Sequence, residues 1–99
     1  MAKIVLYSTS VPLTLKLKND IDSIKFLLEV RKLDFEEVDL AVDTERKEEM
    51  MGISGIKTLP QLMVNGKFVG DAQAIQELQD FNELTPVLTG EVVPPQQPS

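Results

Sequence analysis

The sequence contains no cysteine and no histidine. The first absence excludes disulfides, thiolate nucleophiles, sulfur ligation of metals and any dithiol exchange carried by this chain itself. The second removes the commonest general base and the commonest metal ligand. Carboxylates, hydroxyls, one tyrosine and ten Lys or Arg remain for chemistry. No nucleophile elbow, phosphate loop, metal cluster or facing carboxylate pair is assembled from them. The expectation is a non-enzyme without a resident cofactor or metal. Positive charge is also missing from the last third. Residues 1–67 hold ten bases against eleven acids, whereas residues 68–99 hold five acids and no base. With a net charge of −6 and neither a basic stripe nor an aromatic platform, nucleic acid and anionic membranes are not expected partners. No apolar run approaches the roughly 20 residues of a membrane span. The strand-like run from Lys3 leaves no room for a signal peptide ahead of it, so the expected location is the cytoplasm, with the nucleus open as well.

What is present fits one small domain: 99 residues, 42% hydrophobic and 26% charged. Lys3–Tyr7 is a continuous β-branched and aliphatic run, the pattern of a strand buried on both faces. Ser8 to Pro12 then break it into a loop. From Leu13 to Lys32, Leu17, Ile21, Ile24, Leu27, Leu28 and the stem of Arg31 recur at helical spacing. Phe35–Leu40 reads as a second strand. Asp43 or Thr44 can cap a short helix over Glu45–Met51, with Gly52 as its left-handed stop. Leu62-Met63-Val64, then Asn65-Gly66, then Lys67-Phe68-Val69 is the signature of a hairpin closed by a type I′ turn. Asp71 can cap a last helix, whose buried face is marked by Ala74, Ile75, Leu78 and Phe81. Residues 91–99 carry three prolines and no periodicity, so the expected domain is 1–90 with a flexible Pro-rich tail over 91–99. The order βαβαββα, with a right-handed crossover and a late hairpin, predicts a mixed four-stranded sheet with helices on both faces, of thioredoxin-like architecture. A ferredoxin-like domain is the alternative, but its order lacks the adjacent hairpin between the last two strands.

Thr58-Leu59-Pro60-Gln61, followed by Leu62-Met63-Val64-Asn65-Gly66-Lys67-Phe68-Val69-Gly70, closely resembles the glutaredoxin pattern around its cis-proline. The resemblance implies a cis Leu59–Pro60 bond whose preceding backbone faces the ligand site. Tyr7-Ser8-Thr9-Ser10 resembles the end of the first glutaredoxin strand, after which that family places its active-site cysteines. The matching places here hold Val11-Pro12-Leu13-Thr14, so Val11 and Thr14 stand where the two sulfurs would be. A cysteine-free relative with Tyr-Ser-Thr-Ser-Val at the front and Gly70-Asp71 after the hairpin is similar to the SH3-domain-binding glutamic acid-rich-like proteins. That resemblance implies a redox-inactive adaptor or regulator acting through protein contacts. Some members of that family carry a multi-proline segment beside the cis-proline. This chain has Pro60 alone there, which weighs against SH3 binding.

The candidate contact or ligand residues are Ser10, Val11, Pro12, Leu13, Thr58, Leu59, Pro60, Gly70 and Asp71. An unidentified protein partner is the first expectation, on a loop and cis-proline edge that the fold leaves exposed. The resemblance also implies glutathione as a possible ligand. It would be held strand-fashion by the Leu59 backbone, with its γ-glutamyl end at the helix following Gly70-Asp71. Each residue has a plainer reading beside that one: Pro60 shapes the sheet edge, Asp71 is an ordinary N-cap, and Lys16, Lys18 and Lys57 are solvated lysines. Pro95-Gln96-Gln97-Pro98 fits a Pro-x-x-Pro template but lacks a flanking base.

Overall fold

The computed structural model describes residues 2–92. The elements are β1 (Ile4–Ser8), α1 (Leu15–Val30), β2 (Glu36–Asp39), α2 (Arg46–Ser54), β3 (Gln61–Val64), β4 (Lys67–Gly70), α3 (Ala72–Asp80) and α4 (Leu84–Leu88). The strands form one four-stranded sheet in the order β2-β1-β3-β4. β1 is parallel to β2 and antiparallel to β3, and β3 is antiparallel to β4. This is the mixed sheet expected from the sequence.

β1 has neighbours on both sides and helices on both faces, and all five of its residues are buried. Its alternation divides the core in two. Ile4 and Leu6 join Ile24 and Leu28 of α1, Ile75 and Leu78 of α3, and Leu84, Val87 and Leu88 of α4. Val5 and Tyr7 point the other way and pack with Val38, Met63 and Met50 of α2. Arg31, at the end of α1, ties the first layer together. Its guanidinium donates to the Leu27 carbonyl at 2.9 Å, the Thr85 hydroxyl at 3.0 Å and the Gln79 side-chain carbonyl.

The hairpin forms as its sequence predicts. Asn65 and Gly66 both have positive φ, 53° and 77°, and the turn is fastened to the start of β1. Lys3 N donates to Asn65 Oδ1 at 2.9 Å, and Asn65 N to the Lys3 carbonyl at 2.8 Å.

The structure corrects three local readings. α2 does not stop at Gly52. It runs through Ser54, and the left-handed residue is Gly55, at φ 76°. The fully buried Met50 holds this helix on the sheet, which offsets the roughly 1 kcal/mol that an interior glycine costs. Phe81 belongs to no buried face: it is 74% exposed at the end of α3. The chain then forms α4, which the sequence reading lacks. Pro86 hides it, yet in a five-residue helix Pro86 falls in the first turn, where no intrahelical N–H bond is lost. Of the tail expected over 91–99, residues 93–99 lie outside the described residues.

Candidate functional site

The topology brings the candidate segments to one end of the sheet. β1 and β2 finish there, β3 begins there, and β4 finishes there, because Tyr7 pairs with Gln61, Ser8 with Asp39 and Leu62 with Gly70. The loop 9–14, the segment 55–60 and the Gly70-Asp71 corner therefore share this end.

The loop after β1 is fixed through Asp39, a residue the sequence reading did not single out. Asp39 Oδ1 accepts from Ser10 N at 2.9 Å and from Ala41 N at 3.0 Å. One carboxylate thus ties the β1–α1 loop to the β2–α2 loop. The Ser10 hydroxyl and then the Ser10 amide hold the Asp39 carboxyl below its usual range. An Asp closing a strand is a recognisable Asx-turn signal, since its side chain can bond a backbone N–H two residues on. Val11 N donates to Thr9 Oγ1 at 3.1 Å, and Thr14 caps α1 by accepting from Leu17 N at 3.1 Å. Thr14 therefore stands at the helix start with its hydroxyl already engaged.

This anchored loop presents apolar side chains to solvent. Val11 is 64% exposed, Leu13 89% and Leu15 72%, with Pro12 half-buried. Val42, on the loop that Asp39 holds beside it, is 80% exposed. Leu15 and Val42 carry no signal in the sequence, because a single aliphatic residue near a helix start or in a loop has no periodicity.

The cis-proline side differs from the expectation of an exposed edge. The Leu59–Pro60 bond is cis, but Pro60 is buried and Leu59 is half-buried against the Met50 cluster. Thr58 is exposed. The segment is shaped from inside by the fully buried Gln61, whose Nε2 donates to the carbonyls of Ile56 at 3.0 Å and Thr58 at 2.7 Å. Apolar presentation at this end therefore comes from the β1–α1 and β2–α2 loops, with Ile56 (42% exposed) on the cis-proline segment, rather than from Pro60.

Gly70 and Asp71 have structural work. A Cβ on Gly70, at φ 157°, would lie 2.4 Å from Ala74 Cβ, so the strand end can meet α3 this closely only without a side chain. Asp71 is the N-cap of α3, accepting from Ala74 N at 3.0 Å. Lys16 is held by Asp20 at 2.8 Å, and that hydrogen bond raises its pKa. Lys18 approaches Asp22 at 3.4 Å, while Lys57 is exposed. Among the described residues no group of three or more acidic side chains is arranged to hold a metal, and no helix is long and apolar enough to cross a membrane.

Comparison with known proteins agrees with this geometry. A sequence model of the family described as Glutaredoxin matches residues 22–69, which begins after Val11–Thr14 and includes the Thr58–Gln61 segment and the hairpin. A glutaredoxin domain-containing cysteine-rich protein of Drosophila melanogaster is 31% identical over 90 residues, 89% of this chain. The chain spans only 20% of that relative's length. Among solved structures, a buckwheat glutaredoxin–glutathione complex superimposes with a TM-score of 0.71 at 18% identity, covering 90% of this chain and 78% of that one. The actin interacting protein Aip5 of C. albicans gives a TM-score of 0.73 at 20% identity, covering 88% of each chain. These structural likenesses are of fold, and the sequence match adds the family for the stretch it covers: residues 22–69 carry the glutaredoxin-family pattern.

Proposed function

We propose that the chain is a non-enzymatic adaptor or regulator of the SH3-domain-binding glutamic acid-rich-like kind, working in the cytoplasm through protein contacts. The observation that carries this reading is the exchange at the β1–α1 loop. Where the glutaredoxin pattern has thiols, this chain has Val11 and the helix-capping Thr14, and beside them Leu13, Leu15 and Val42 face solvent. Exposed aliphatic side chains on an anchored loop suit a protein interface, where apolar area is covered on binding. The shared fold of a protein named for interaction with actin supports an adaptor role. The test is to capture partners with the wild-type chain and with the triple variant Val11→Ser, Leu13→Ser, Leu15→Ser. Partners that bind the wild type are expected to be lost from the variant at unchanged melting temperature. Partners retained by the variant would place the contact elsewhere.

A second reading, glutathione binding without catalysis, is favoured by the meeting of the Leu59–Pro60 segment and Gly70-Asp71 at one sheet end. It draws on the glutathione complex of the buckwheat relative. Titration with glutathione, followed by amide NMR, decides it. Saturable shifts at Leu59, Gly70 and Asp71 at millimolar ligand or below support it, and silence there removes it.

A further inference from the structure

Starting beside the loop end, where both helices begin, and running back along the flank of the domain, α1 and α3 lie side by side and leave a surface trough between them. Two adjoining depressions form it, with volumes of about 430 and 500 Å³, and Ser23 and Gln76 line both. Its lining runs along α1 from Lys16 to Leu27, a length of about 17 Å at 1.5 Å per residue. Two features are unlike the loop end. An aromatic side chain stands in the wall: Phe26 is 63% exposed, and Val30, one turn further along α1, is 53% exposed. Negative charge surrounds it, since Asp20, Asp22, Glu77 and Asp80 line the trough against Lys16 alone. Lys16 is taken up by Asp20, and no Lys or Arg lies within ion-pair distance of Glu77 or Asp80 among the described residues.

We infer that the α1–α3 trough is a docking surface for a basic amphipathic helical segment of a partner protein. The complementarity sets the occupant. An apolar stripe would cover Phe26 and Leu27, while flanking Lys or Arg would meet Glu77 and Asp80, and a cation could also sit over the open face of Phe26. Three helical turns of about 5.4 Å each span the trough. An acidic peptide is repelled, and a purely apolar one leaves the carboxylates desolvated without partners. The trough adjoins the loop end at Lys16 and Ala72 but shares no lining residue with the proposed adaptor contact, and the inference does not rest on that contact.

The test uses the full chain, amide NMR and three synthetic 18-residue peptides: a Lys/Leu amphipathic helix, its Glu/Leu counterpart, and a Lys/Ser peptide of the same charge without an apolar face. The Lys/Leu peptide is expected to shift Asn19, Ser23, Phe26, Gln76 and Glu77 saturably. The Glu/Leu peptide is expected to leave them unmoved, and the Lys/Ser peptide to bind about tenfold or more weakly. The double variant Glu77→Lys, Asp80→Lys is expected to lose about tenfold in affinity, and Phe26→Ser a similar factor. Glu29→Lys with Asp34→Lys makes the same change of net charge at exposed positions outside the trough and is expected to stay within about twofold. Equal weakening by the two charge reversals would mean attraction to net charge alone and overturn the proposal. Shifts centred on Ser10–Leu15, or no saturable shift with the Lys/Leu peptide, would overturn it as well. Melting curves of each variant show that the fold is kept.

Discussion

On the α1, α3 and α4 side of the sheet every fully buried side chain of the core is aliphatic, whereas the α2 side is closed by a hydroxyl, two carboxylates and a guanidinium. Tyr7 Oη donates to Glu49 Oε2 at 2.5 Å, and Arg46 bridges Glu49 at 3.0 Å and Glu36 of β2 at 2.7 Å. The first side contains twelve buried residues, the second five. A helix with few buried apolar contacts must be fixed by directional bonds, which are sensitive to pH where the aliphatic layer is not. Both sides start from β1: even-numbered Ile4 and Leu6 feed one, odd-numbered Val5 and Tyr7 the other.

The largest effect expected from breaking this comparison is on the aliphatic side. Leu62→Ala removes a fully buried side chain and is expected to cost about 2–5 kcal/mol in chemical denaturation. Gly70→Ala comes next. The clash with Ala74 and the positive φ are expected to cost about 1–3 kcal/mol, read in the same experiment. Tyr7→Phe, on the polar side, keeps the ring and removes one hydrogen bond, for about 1 kcal/mol.

Titration sharpens the same contrast. Glu49 is held below its usual range, chiefly by the Tyr7 hydroxyl and then by Arg46, and Glu36 is lowered by Arg46. Their contribution is complete above the ordinary carboxylate pKa of 4.5 and is lost as pH falls through the lowered values. Tyr7 is pushed up to about 12, first by burial and then by the Glu49 carboxylate. Its contribution is present below pH 10 and lost as pH rises toward about 12. Stability measured against pH is therefore expected to fall at both ends, and Tyr7→Phe to reduce the alkaline fall and shrink the acid one. Asp71→Ala gives a small effect, about 1 kcal/mol from a lost N-cap, with α3 fraying in hydrogen exchange.

Local signals in the sequence were legible where one residue type settles a local conformation. Asn65-Gly66 fixes the turn, Asp71 the cap and the Ile4–Tyr7 run the central strand, because each depends on neighbours in the chain. The same reading failed where tertiary packing decides. Gly52 is carried through a helix by Met50, Pro86 sits in a first turn held by the burial of Leu84, Val87 and Leu88, and Phe81 keeps helical phase yet stays largely exposed. At the loop end, the segments singled out by motif resemblance do meet at one end of the sheet, but the surface they make there differs from the expected one. Pro60 turned inward, and Val42 arrived from a loop about thirty residues away through the Asp39 carboxylate, a long-range bond that no spacing in the chain announces.

The most direct test of the loop end as the contact surface is site-specific photocrosslinking, with a benzophenone side chain placed at Leu13 or, at the opposite end of the sheet, at Lys67. Both positions are exposed, so the crosslinker perturbs neither fold. Discrete protein adducts from Leu13, absent from Lys67 and lost when Val11 and Leu15 are changed to Ser, are the expected result. Adducts of equal yield from both positions, or none from Leu13 where the unmodified chain captures partners, would contradict it.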